Sequence, residues 1–465
     1  MIVFLLFLCF SPPAQNPKLE VDADRIALVK RLYAEERWDE IAQWGPAASD
    51  HPAELDFYRG LALARLHRWA EAKAAFEAGR QKEPRDKRFL IELAGVAYER
   101  KDFPEAKAYL KQALRLDPAD AYANNFLATL YLLQGNLEAA LAYWNRIGRP
   151  TITAVKFDPE PRVRAALLDR AFSFSPLSIL HLYDFRTTQA RIENLAIFPR
   201  YRFELLPEEK ELFAVFFRST ERNGWGDSKL EGFLSLLRGL PYQTIHPEFY
   251  NLNHSAFNMV SLLRWDAQKR RVYASFSGPL GQDPGWRFQF YFDGRNENWD
   301  ISRTFRASAS PISGMKLVKA EAGAEIRSVV SNRWGWRSGV SFADRKFRNL
   351  SGVFPQATPF FTDGFSVKYH AGLDYQLLRN PERRITVDAL ASAGLGRVFA
   401  RPLGSFAKIE GSLALRWLPL PRGDDYEMNS RFRAGRMIGQ APLDELYALA
   451  LERDKIGRAS CRERV

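Results

Sequence analysis

His51, His67, His181, His246, His254 and His370 are the residues best suited to proton transfer or metal ligation. Both tasks need partners at fixed spacing, and these six are scattered. His246 and His254 are the closest pair in the C-terminal half. They read as polar strand or loop residues rather than ligands. Adjacent carboxylates such as Asp424 and Asp425 fall in PRGDD, a turn where solvation explains them. The chain carries no Walker loop, no G-x-S-x-G elbow, no H-E-x-x-H and no paired-cysteine metal spacing. It is not expected to be an enzyme, and no metal or cofactor is expected.

Whatever the chain does must therefore come from its surfaces. It has 465 residues, a hydrophobic fraction of 46% and aromatics at 13%. That composition suits packed cores and excludes a disordered chain. The net charge of +12 could suit nucleic acid or an anionic membrane surface. Lys and Arg are scattered and largely matched by acids, so nucleic acid is not an expected partner.

The first ten residues, MIVFLLFLCF, are apolar and are followed by SPPAQNP. The run is too short to span a bilayer as a helix and reads as the core of a secretory signal over 1–22. A buried N-terminal strand is the alternative. The only cysteines are Cys9 and Cys461. A mature exported chain would then have no disulfides to rely on. The end, KIGRASCRERV, reverse-translates to a common sequencing-adapter read. Residues 455–465 are expected to be an artefact and the gene to be cut near Asp454, with a basic tail as the alternative. Without that tail the charge would be about +9.

Residues 23–149 have helical periodicity and an internal repeat. Ala72, Ala106 and Ala140 are spaced by 34, as are Gly60, Ala94 and Ala128, and Pro84 and Pro118. WAEAKAAFEAGRQKEP aligns with FPEAKAYLKQALRLDP without a gap. This resembles the tetratricopeptide repeat, an α-solenoid of paired helices. Repeats are read at 53–86, 87–120 and 121–149, after a degenerate one. By analogy with the family, the concave face is expected to carry Phe57, Leu61, Arg65, Ile91, Tyr98, Tyr122, Asn125 and Thr129. That face is either a groove for client polypeptides or accessory proteins, or a surface that packs on the chain's own next domain.

Residues 150–222 read as strand, helix, helix, strand, strand: ITAVKFD (152–158), VRAALLDRAF (163–172), TTQARIENLAIF (187–198), PRYRFELL (199–206) and LFAVFFRSTE (212–221). The order resembles the polypeptide-transport-associated (POTRA) domain. There a helix ending in leucine, glycine and phenylalanine runs into a strand, and a later strand ends in glutamate. The matching residues are Leu195, Ala196, Ile197 and Phe198, then Glu221. Ala196 departs from the family's usual glycine.

From NGWGD (223–227) onward the expected pattern is strands only. In GWRFQFYFDGR (285–295), Trp286, Phe288, Phe290 and Phe292 share one face; Arg287, Gln289, Tyr291 and Asp293 share the other. SVKYHAGLDYQL and AKIEGSLALRW alternate in the same way. A soluble sandwich would alternate too. Runs of about 10 residues, charge recurring on one face, and tryptophans near strand ends favour a barrel in a membrane. Roughly 11 or 12 strands are counted over 223–454. RVYASFSGPLGQDPGWRFQFYFDGR and APLDELYALALERD resemble segments of the outer-membrane assembly barrels of the BamA and TamA type.

The expected fold is thus multidomain α + β: an α-solenoid, a small α+β POTRA-like domain, and an incomplete antiparallel transmembrane β-barrel. The resemblance implies a bacterial outer-membrane protein with N-terminal domains in the periplasm, lipid as one partner, and insertion or translocation of client polypeptides. A passive channel and a soluble repeat-plus-sandwich scaffold are the alternatives.

Overall fold

The computed structural model describes residues 17–44, 51–209, 212–226, 229–301, 313–352, 361–400, 404–420 and 426–446. The apolar N-terminal run, Asp424–Asp425 and the basic C-terminal run lie outside them. The chain divides into two units, Met1–Arg149 and Pro150–Val465.

The first unit is all helical: α1 (Pro17–Ala34), α2 (Trp38–Gln43), α3 (Ala53–Arg65), α4 (Trp69–Lys82), α5 (Lys87–Glu99), α6 (Phe103–Leu116), α7 (Ala121–Leu133) and α8 (Leu137–Trp144). Local chemistry sets the helix starts. Asp86, Asp102, Asp120 and Asn136 cap α5 to α8, their side chains accepting from the backbone N–H of Arg88, Glu105, Ala123 and Ala139. The caps themselves recur at 34, from Asp86 to Asp120 and from Asp102 to Asn136. Pro84 and Pro118 follow the ends of α4 and α6. The small residues sit where helices touch: Ala72, Ala94, Ala106, Ala128 and Ala140 are fully buried. At Gly60 an added Cβ would run into the Phe76 ring. Phe76, Phe89, Leu93, Leu110 and Leu127 fill the interior, and burying each contributes about 1.5–3 kcal/mol.

The second unit begins with an α+β module of β1 (Thr151–Asp158), α9 (Ala165–Ala171), α10 (Leu182–Leu195), β2 (Arg200–Pro207) and β3 (Leu212–Thr220). Its sheet has the order β1-β3-β2, with β1 parallel and β2 antiparallel to β3. Phe217, fully buried, is ringed by Phe157, Phe172, Phe198 and Phe203. α10 starts earlier than its periodic pattern suggests, at Leu182 instead of 187.

The rest is one 12-stranded antiparallel sheet: β4 (Gly224–Trp225), β5 (Thr244–Ile245), β6 (Glu248–Leu252), β7 (Phe257–Trp265), β8 (Lys269–Leu280), β9 (Asp283–Ile301), β10 (Ser313–Val329), β11 (Trp334–Gly352), β12 (Gly364–Asn380), β13 (Ile385–Phe399), β14 (Gly404–Trp417) and β15 (Met428–Gly439). It is a meander in which β6 to β15 each pair with the next, β4 pairs with β6, and β5 pairs with β7. This is barrel connectivity, and the terminal strands β4 and β15 do not pair with each other among the described residues. Several strands are longer than the runs read from sequence; β9 and β11 each have 19 residues.

One expectation is corrected here. The region after residue 223 is not strands only, because α11 (Lys229–Gly239) lies between β4 and β5. Its sequence, KLEGFLSLLRG, is rich in helix-forming Leu. Pro241, in the 3-10 turn Leu240–Tyr242 that follows, ends it.

Candidate functional site

Three places in the fold gather side chains that could act on a partner: the repeat groove, the charged face of the large sheet, and the junction between the α+β module and that sheet.

The residues expected in the groove lie on α3, α5 and α7, the first helix of each repeat. Leu61, Ile91, Tyr98, Asn125 and Thr129 are partly buried, and Arg65 and Tyr122 are exposed. Phe57 is not a groove residue. It is buried, at 8% exposure, with its ring against Phe89 and Phe76 and the Arg88 guanidinium over it. The family analogy fixes which helix bears a residue but not how far a large ring turns inward. Asn125 is already engaged, accepting from the Trp144 indole N–H at 2.8 Å. Tyr98 packs edge-on to Phe126.

Glu92, beside Ile91 on α5, was not singled out from sequence. It has no hydrogen-bond or salt-bridge partner among the described residues. Burial raises its pKa, and Arg65 opposes that shift. Burial and then Glu92 raise the Tyr122 phenol. The signal was a lone acid inside the apolar run FLIELAGV. The neighbouring charges are instead satisfied: Arg88 reaches Glu54 at 2.8 Å and Asp86 at 2.7 Å, and its own pKa is raised by those bonds.

The two faces of the large sheet are chemically separate. Following the register across it, Trp225, Phe249, Met259, Phe276, Phe290, Ala324, Val340, Tyr369, Leu395, Ala407 and Ile438 form one continuous row. Every member is apolar or aromatic. On the opposite face, Arg264, Arg271, Arg295, Lys319 and Arg345 form a ladder of cations on five adjacent strands. Like charges directly opposed repel, so the ladder needs interleaved anions. Asp293 accepts from Arg271 at 2.9 Å and from Arg295 at 2.6 Å, Asp266 pairs with Arg264, and Glu321 with Lys319 at 2.9 Å.

The remaining anions come from beyond β15. Residues 441–446, which include a 3-10 turn at Leu443–Glu445, fold onto the charged face. Asp444 sits 3.0 Å from Lys319 and 3.3 Å from Arg345. Glu445 sits 3.3 Å from Arg345 and 3.2 Å from Lys368. Leu443 packs with Met315, Leu317 and Phe347; Ala441 and Leu446 pack with Val398 and Phe406. Arg345 is only 1% exposed. None of these ladder residues was singled out from sequence, because the opposition depends on register. The visible signal was only recurring basic residues in QKRRV, GRNE, KLVKAE and DRKF.

At the junction Glu221 accepts from the backbone N–H of Arg162 at 2.6 Å and Val163 at 2.8 Å, and from Asn251 and Asn223, each at 2.9 Å. The last carbonyls of α10 accept from sheet side chains: Asn194 O from Arg287 at 2.6 Å and Leu195 O from Asn258 at 3.1 Å. A cation at a helix C-terminus is the favourable arrangement. Ala196, the next residue, is left-handed at φ 56°, which explains why glycine would suit that position.

The histidines do not converge. His51 bonds Asp56 at 2.8 Å and Lys82 at 3.0 Å, and His370 bonds Glu325 at 3.0 Å. No group of three or more His, Cys, Asp or Glu placed to hold a metal occurs among the described residues.

Comparison with known proteins adds the following. Family profiles described as tetratricopeptide repeat match residues 57–110 and 97–150, so the first unit contains these repeats. No curated protein matches the chain. Among solved structures, the crystal structure of BamA from Haemophilus ducreyi lacking POTRA domains 1-3 is similar at 12% identity and a TM-score of 0.35. The match covers 66% of this chain and 59% of that one, so the chain spans less than two thirds of its length. The crystal structure of MamA is similar at 14% identity and a TM-score of 0.25, over 28% of this chain and 79% of that one.

Proposed function

We propose that the chain is an outer-membrane β-barrel that inserts or translocates client polypeptides, with its α+β module and repeat arm in the periplasm. The apolar row across the sheet carries the membrane part of this reading. A soluble sandwich would cover such a face with a second sheet. Here Phe290 remains 56% exposed and Leu395 60%. Lipid is the medium that stabilises such a face, and an unpaired ladder edge is costly there. The opposite face, with paired charges and segment 441–446 laid over it, suits a wet lumen.

The polypeptide-handling part rests on the resemblance of 150–222 to the POTRA domain and of the strand pattern to the assembly barrels. An incoming strand would add to the edge strand β2 or to an opened barrel seam. It would gain backbone hydrogen bonds that lipid cannot supply. The repeat groove would recruit clients or accessory proteins.

The test is depletion of the protein, followed by measurement of heat-shifted forms of other outer-membrane barrels. Their loss is the expected outcome. Ion conductance with other barrels unchanged would instead identify a passive channel. A chain that stays in solution without detergent, with no heat-dependent gel shift, would identify a soluble scaffold.

A further inference from the structure

Helix α11 has two apolar faces, and among the described residues only one of them is covered. Gly232 is buried, and an added Cβ there would lie 3.0 Å from the Trp225 ring. At Gly239 an added Cβ would collide with the Thr244 carbonyl. Leu236, between them in helical spacing, is partly buried. Residues 232, 236 and 239 therefore form the packing face, and glycine at two of its three positions lets the helix lie close.

The opposite face repeats at i, i+3, i+4 and i+7. Leu230 is 69% exposed, Phe233 52%, Leu234 38% and Leu237 45%. Leu240 and Tyr242, in the turn that follows, extend it at 51% and 78%. A contiguous stripe of this kind marks an interaction surface.

The position of the helix says what covers it. Trp225, on which Gly232 rests, is the first member of the apolar row, and its ring stacks on Phe249, the second. From there the chain passes through α11 to β5, which pairs with Arg264 and Leu263 at the end of β7 opposite Phe257. The helix is thus tied to β4 at Gly232 and to β5 at Gly239. Trp225 joins the packing face of the helix to the apolar row at its β4 end.

We propose that the Leu230–Phe233–Leu234–Leu237 face of α11 contacts the acyl chains of the membrane, as a helical extension of the lipid-facing surface. This rests on the membrane-barrel reading above. Apolar side chains on the exposed face of a helix gain stability in proportion to the area that lipid covers. Trp225 of β4 and the backbone of β5 meet the packing face and hold the helix there.

The experiment uses the full chain with Cys9→Ser and Cys461→Ser, reconstituted in phosphatidylcholine vesicles. Single cysteines are introduced as Phe233→Cys, Leu237→Cys, Phe290→Cys and Leu61→Cys and labelled with an environment-sensitive fluorophore. Spin-labelled phosphatidylcholine is the quencher. The expected result is loss of fluorescence at 233 and 237 as strong as at 290, with no loss at 61. Quenching at 290 without quenching at 233 and 237 overturns this inference and leaves the barrel reading standing. A blue-shifted but unquenched label at 233 means that protein covers the stripe, and also overturns it. No quenching at 290 overturns both.

Discussion

At Ala196 a methyl group sits in a left-handed backbone conformation that glycine adopts without cost. The strain is local: the preceding carbonyls are held by Arg287 and Asn258, so the chain has no freedom to unwind. Ala196→Gly is expected to stabilise the second unit by up to about 1 kcal/mol, the left-handed penalty less the added chain entropy. Denaturant unfolding of that unit measures it. Glu92 is the other residue whose environment works against it. Burial holds its folded-state pKa above the ordinary carboxyl value. A raised carboxyl pKa means that folding takes up a proton. The stability that Glu92 contributes in its protonated form is present at low pH and lost as pH rises through that raised value. Glu92→Gln is therefore expected to slow amide exchange in α5 at neutral pH, with the difference vanishing in acid. Equal exchange at both pH values would show that the carboxyl is not disfavoured by burial. Neither residue was conspicuous from sequence. Ala196 was visible as a departure from a family pattern, but its φ was not.

Elements were legible in proportion to how local their cause is. The 34-residue repeats of small residues and prolines made the helices of the first unit legible, because each of those signals acts within one turn or one helix pair. The alternation of Phe288, Phe290 and Phe292 against Arg287, Gln289 and Tyr291 likewise gave β9. What stayed hidden was non-local. The cation ladder needs the register of five strands, and Phe57 needs the packing of Phe76 and Phe89. α11 was missed because an expectation of strands was carried across a segment whose period is nearer 3.6. The two faces of the sheet make a paired prediction. Phe290→Arg places a charge in the apolar row and is expected to cost roughly 2–4 kcal/mol in a bilayer. Gln289→Arg, one residue away on the other face, is expected to change little. The fraction of chain showing heat-dependent mobility on gels reports both, and equal effects would remove the distinction between the faces.

For the molecule as a whole, residues 441–446 tie the end of the meander to β10, β11 and β12, 100 residues away between Glu445 and Arg345. The segment's two carboxylates, together with Glu321, pair with three cations there, and apolar contacts flank them on both sides. Removing the partners of a buried ion costs about 3–5 kcal/mol. The double change Asp444→Asn with Glu445→Gln is therefore expected to release the segment. In planar bilayers, conductance should rise and selectivity should shift toward anions, because the ladder is left in excess. Unchanged selectivity would mean that the segment does not govern the charge of the sheet's polar face.

The repeat arm has a further property that the sheet lacks. Lys73 bonds Glu105 and Arg80 bonds Gln112 across 32 residues, and Arg88 bonds Glu54 across 34. Each contact is nearly a translation of one repeat onto the next. A whole 34-residue block is therefore the unit that can be added or lost while the stacking of helix pairs on either side continues. The sheet changes only in hairpins, since one strand more or fewer reverses the direction of everything after it. Arm length is therefore a dimension along which gene duplication can lengthen or shorten the protein's reach in single-repeat steps, with the sheet's strand count left alone.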